Sequence, residues 1–249
     1  MVHSAYAYGY LLGALFVAII CVIFLLLRPD LRREMVYVGL LASVGGIFLE
    51  YFLWTRDWWH PPTMTGTRIG LEDVIYALST GGIMASIVPL TFRRPITPGA
   101  VRPPVRSAVL PYACATLIAP ALVALTGLHS FLATTIGTTC GLILMLTRRR
   151  DLVPLALWSG LLSTLASLPV YWAMELLLPG VVGAIWDVKR LSGLTLTGIP
   201  LEDIAWYFYS AAFFGAYYKY VMGQSVCQLN LHLGLFLPRA ESIKRTTQP

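Results

Sequence analysis

Two acids stand side by side twice in this chain, Glu72 and Asp73 in "RIGLEDVIYAL" and Glu202 and Asp203 in "GIPLEDIAWYF", each time at the head of an apolar and aromatic run. Adjacent carboxylates in that setting suit either of two jobs. Acids in a first turn complement the positive end of a helix dipole, and Pro200 suits a helix start. Carboxyls in an apolar, low-dielectric setting, with other carboxyls nearby, instead tend to hold a proton near neutral pH, which is what acid catalysis on an apolar substrate requires. Glu50 in "FLEYFLW" and Glu175 in "WAMELLL" each lie about one helical turn inside the end of an apolar run, where ionisable groups are functional by default or paired with a nearby Arg or Lys. The residues that could carry chemistry are therefore Glu202, Asp203, Glu72, Asp73, Glu175 and Glu50.

The elements that must position them are read from composition. Of the 249 residues, 57% are hydrophobic and 12% charged, with a mean hydropathy of +0.71; about a quarter of a soluble domain is charged. The apolar runs are long enough to cross a hydrocarbon core, which takes roughly 20 helical residues. They lack the period-2 alternation of barrel strands, so the fold class is all-α integral membrane. Seven transmembrane helices are expected, at 8–27, 35–54, 70–91, 107–126, 130–147, 153–178 and 200–221. The first has no basic residue ahead of it and no small-residue cleavage site after it, and reads as a retained helix rather than a signal peptide.

Lys and Arg concentrate in the connections "RPDLRRE", "RRPITPGAVRPPVR" and "TRRRD" and in the tail. The positive-inside rule makes that face cytoplasmic, with the N-terminus outside and the C-terminus in the cytoplasm. Lys219, near the basic end of the last run, is expected to snorkel to that interface. The net charge of +6 is met by anionic lipid and needs no nucleic-acid partner. Cys21, Cys114, Cys140 and Cys227 have no CxxC or CxxH spacing and read as small hydrophobes rather than metal ligands or disulfide partners.

The acids show the opposite bias and gather at the outer end. The first three spans also match the last three in pattern: an apolar helix, an Arg-rich turn, a helix with an acid near its outer end, a loop with Trp and Asp ("RDWW", "IWD"), then "LED". An intervening fourth span makes the two copies parallel, so both acid sets reach the same depth. The expected organisation is two parallel three-helix repeats joined by a linking helix: 1–106 for the first repeat, 107–128 for the link, 129–221 for the second repeat and 222–249 for a tail.

Aromatics cluster at the acid end: Trp54, Trp58, Trp59, Trp172, Trp186 and Trp206, of seven Trp in all, with Tyr76 and Tyr207 close by. An interfacial aromatic belt accounts for part of this; ring faces lining a pocket and stabilising a carbocation account for the rest. The paired-acid motif of Pro200 to Asp203, with Trp186 and Asp187 shortly before it and an acid in the preceding helix, resembles the lycopene cyclase domain of small integral-membrane carotenoid cyclases in their fused tandem form. The first copy departs from that motif in having Gly70 where Pro is usual. The resemblance implies redox-neutral cyclisation of the linear ends of lycopene or a related carotenoid taken from the bilayer, with Glu202 as the expected acid and the other acids stabilising the cation or receiving its proton. It implies Trp186, Asp187, Trp206, Tyr207, Trp172, Trp54, Trp58 and Tyr76 at the substrate. No GxGxxG fingerprint is present, and no cofactor or metal is expected. The residues alone leave open a proton-coupled transporter or a non-catalytic polyene- or lipid-binding membrane protein.

Overall fold

A computed structural model describes residues 2–92, 96–97 and 102–226. The long helices are α1 (Val2–Leu27), α2 (Arg32–Phe52), α3 (Leu71–Phe92), α4 (Val105–Thr126), α5 (Ser130–Arg148) and α6 (Val153–Leu177). A short α7 (Val181–Ile185) and a final long α8 (Leu201–Met222) follow. The helices α1 to α6 have the length and apolar composition to cross a membrane. Exposed leucines along them, Leu26, Leu125 and Leu176 among others, belong against lipid tails rather than water. This is an all-α integral membrane architecture.

The seventh expected span, α8, is long enough to cross but far less apolar than α1, because Glu202, Asp203, Lys219 and a series of Tyr lie along it. It can carry them because it is wrapped by other helices, packing on α2, α3, α5 and α6. Its neighbour α3 is wrapped in the same way by α1, α2, α6 and α8. These two acid-headed helices form the centre, and α4 covers α5 and one edge of α2.

Corresponding residues of the two halves make corresponding contacts. At the basic end, Arg28 grips Asp30 and Arg149 grips Asp151, each through two guanidinium bonds of 2.6–2.9 Å. Each grip closes a one-turn 3-10 helix, Pro29–Leu31 or Arg150–Leu152, whose leucine is wholly buried. Further along, Gly39 sits so close to α3 that an added Cβ would lie 2.5 Å from the Leu78 carbonyl oxygen. Its counterpart Gly160 would meet the Phe208 carbonyl oxygen at 2.8 Å. Only glycine lets the second and third helix of each half approach so closely, the general device by which membrane helices pack without a hydrophobic driving force.

Lys219 departs from expectation. It does not snorkel: it is fully buried and pairs with Glu34 of α2, itself 2% exposed, across the two halves. The counterpart positions are the apolar Pro89 and Leu155, so this ion pair is a one-sided addition. The loop before α8 also holds structure the sequence pattern did not announce, namely α7 and a tight hairpin pairing 195–196 with 199–200 through Thr197 and Gly198 at positive φ. The tail beyond 226, with Cys227, lies outside the described residues.

Lys219→Met alone strands the Glu34 charge inside the bundle and is expected to cost about 3–5 kcal/mol. Adding Glu34→Gln should recover most of that loss. Thermal unfolding in detergent micelles, followed by circular dichroism, reads both.

Candidate active site

Consecutive helical residues point about 100° apart, so the two acids of each Leu-Glu-Asp cannot face the same way. In both halves the Asp turns into the bundle and the Glu turns back to its loop. The Glu72 carboxylate accepts the Met64 backbone N–H at 2.6 Å, and the Glu202 carboxylate accepts that of Ser192 at 2.6 Å. Both therefore brace the preceding loop at a helix N-terminus, where the dipole favours them.

Asp73 accepts the Tyr10 hydroxyl of α1 at 2.5 Å and the Gly70 N–H at 2.7 Å. That second bond gives the Gly70 departure a physical reason, because a proline there has no N–H to donate. Glu50 of α2 lines the same pocket as Asp73 and accepts the Trp59 indole N–H at 2.7 Å. Two carboxyls can bond one another only when one of them is protonated, which makes this pair a candidate place to hold a proton.

In the second half Asp203 stands where Asp73 stands in the first, and it accepts the Tyr171 hydroxyl of α6. Tyr171 occupies the position that Glu50 has in the first half. The expected pairing of Glu50 with Glu175 is thus corrected by one helical turn. Glu175 is exposed and caps α7 instead, accepting the Gly180 N–H at 2.6 Å and that of Val182 at 3.3 Å. Asp203, Asp73 and Glu50 are all at most 5% exposed.

These three carboxyls line one cavity between α2, α3, α4 and α8. From Asp73 to Met84 its wall follows α3 for about 16 Å at 1.5 Å per residue. Below the acids it is mostly aliphatic and aromatic, with Thr80, Thr116 and Thr138 among its lining, and reaches Tyr112 of α4 and Phe213 of α8. Trp54, Trp58 and Tyr76 line it together with Trp206, whose ring stands edge-on to Trp54 at 6.3 Å. Tyr76 and Tyr207 share a hydroxyl–hydroxyl bond behind Asp203. Trp186 packs against Trp59 at 4.8 Å on the far side of Tyr10.

The loops at the acid end are tied together above the acids. Asp187 N–H donates to the Trp58 carbonyl at 2.9 Å and His60 N–H to that of Ile185 at 2.8 Å, a two-bond bridge joining the halves. The Asp187 side chain turns away to Arg190 at 3.3 Å, and Trp172 lies on the outer face, bonded to Thr197. Neither lines the cavity. The residues that sequence reasoning passed over are Tyr10 and Tyr171, which look like ordinary aromatics of apolar helices; the signal available was their spacing, one residue in each half within reach of the Asp. Trp59 reads as one of the aromatic cluster but is not among the expected site residues.

The family model described as lycopene cyclase matches residues 6–90 and 129–221, leaving out the segment that contains α4. The chain belongs to the lycopene cyclase family. The two matched stretches are the two halves that present Asp73 and Asp203 to the cavity, so the membership supports a carotenoid cyclase. No curated protein and no solved structure matches the chain.

Glu72→Ala is expected to loosen the 60–70 loop by about 1–3 kcal/mol, the loss of a charge-assisted bond to backbone. Limited proteolysis should then nick that loop faster while the helical core stays intact.

Proposed function

We propose that the protein cyclises the linear end groups of lycopene or a related carotenoid to ionone-type rings, an isomerisation without redox change. The observation that carries this reading is a cavity of mostly aromatic and aliphatic walls with three buried carboxyls at one end, in a chain of the lycopene cyclase family. A carboxyl proton adds to the terminal double bond; the resulting tertiary cation is attacked by the next double bond, closing a six-membered ring; a neighbouring ring C–H then gives its proton to a carboxylate. One proton enters and one leaves, so the product is an isomer. The rings of Trp54, Trp58 and Trp206 supply quadrupoles to the cation.

The acids lining the cavity carry the chemistry in this reading: Asp203, Asp73 and Glu50, with Glu72, Glu202 and Glu175 holding loops. The geometry favours Asp203 over Glu202, which faces Ser192. The substrate enters sideways from the bilayer, its long chain leaving along the apolar part of the cavity. The architecture proposed with it is seven spans in two parallel three-helix repeats, 1–106 and 129–221, linked by a helix within 107–128. The protein would lie in the cytoplasmic membrane with its N-terminus outside, as its basic connections favour.

Expression in a lycopene-accumulating bacterial host, followed by pigment chromatography, should yield one-ring or two-ring products. Unchanged lycopene, with the protein present in the membrane, would sink the reading. In the same host Asp203→Asn should lower turnover by roughly 10²–10⁴-fold, the usual scale of acid–base catalysis, with the variant still folded. Glu202→Gln, which keeps an oxygen to accept Ser192 N–H, should retain far more activity than Asp203→Asn.

A further inference from the structure

The cyclisation leaves one acid short of a proton and another with one too many, beneath the loop bridge that joins the halves. Something must return that proton. Between the two acid centres stand four tyrosines whose hydroxyls converge: Tyr10 on Asp73, Tyr171 on Asp203, and Tyr76 bonded to Tyr207 between them. The Tyr207 ring stands edge-on to that of Tyr171, centroids 6.1 Å apart. From Tyr76 to Tyr10 the rings meet at 6.4 Å, centroid to centroid. Tyr10, Tyr171 and Tyr207 are all less than 10% exposed.

The two ends of this chain of hydroxyls are not alike. The first half offers two carboxyls together, Glu50 and Asp73. The second offers one, Asp203, because Tyr171 stands where the second carboxyl would be. Tyr10 in turn has Phe131 as its counterpart, so each half contributes one tyrosine hydroxyl at its Asp, from a different helix. A duplicated site whose substitutions leave two carboxyls at one end, one at the other and hydroxyls between has two unlike ends.

We propose that the Glu50 and Asp73 pair protonates the polyene, that Asp203 takes the ring proton, and that Tyr171, Tyr207, Tyr76 and Tyr10 pass it back to Asp73 for the next turnover. This rests on the cyclase reading. In each cycle a C–H bond forms at the terminal double bond with the pair's proton, and a ring C–H breaks with its proton going to Asp203. Each tyrosine then accepts one proton from one side and gives one to the other, so no charge or electron is left over and solvent supplies nothing.

The test is crossover of isotope. The full-length protein in lipid vesicles is given an equal mixture of unlabelled lycopene and lycopene deuterated throughout its end groups, in ordinary water, and the ring products are analysed by mass spectrometry. Internal return predicts deuterium in rings formed from unlabelled molecules. Tyr171→Phe and Tyr207→Phe, which keep the rings and remove the hydroxyls, should each abolish that transfer while some cyclisation persists through solvent protons. Ring products of the unaltered protein without crossover would overturn the relay and leave the cyclase standing, as would crossover undiminished in both Phe variants. If one variant does not fold, the other and the unaltered protein decide. No ring product at all from the unaltered protein would overturn the cyclase reading, and the relay with it.

Discussion

Holding carboxyls inside an apolar bundle is the constraint around which the rest of this molecule is arranged. An isolated charge in such surroundings costs several kcal/mol even after relaxation, so each buried acid needs donors or a shared proton. The chain provides these from elements far apart in sequence. Asp73 draws on Tyr10 and Gly70, Glu50 on Trp59, Asp203 on Tyr171. The same requirement at the basic end produces the Glu34 and Lys219 pair.

Burying the acids also fixes which helices lie at the centre. Helices α3 and α8 carry the acids and are the least tolerant of lipid, so they are enclosed, and the uniformly apolar α1 lies at the edge with many side chains turned outward. Enclosure demands close approach, which the glycines Gly39 and Gly160 permit. The loop bridge follows from the same logic: loops above the acids exchange backbone bonds with each other, as buried peptide groups must.

The two halves share a plan and differ where the chemistry is. Asp73 and Asp203 correspond, as do the two braced glutamates and the arginine grips at the basic end. Glu50 faces Tyr171, Tyr10 faces Phe131, and Lys219 with Glu34 faces Pro89 with Leu155. The differences fall on a few helix positions beside the acids and at the basic end, so a nearly symmetric frame encloses an asymmetric site.

Much of this was legible in the sequence, because hydropathy over a run of residues is a local quantity. The apolar runs fixed the helices and their rough limits, the recurrent Leu-Glu-Asp exposed the two halves, and aromatics gathered at the acid end were readable by composition alone. Which acid of each pair faces inward was not, since that depends on the rotation of α3 and α8 in the bundle. Nor was the burial of Lys219, which in a linear reading sits next to an interface. The correspondence of Glu50 with Tyr171 was hidden because the eye aligns like with like, Glu50 with Glu175, whereas packing aligns positions. Periodicity along one helix says which residues share a face; only the contact of one helix with another decides what that face meets, and at this site the meeting of a carboxyl with a tyrosine hydroxyl from a distant helix is what makes burial of the acid possible.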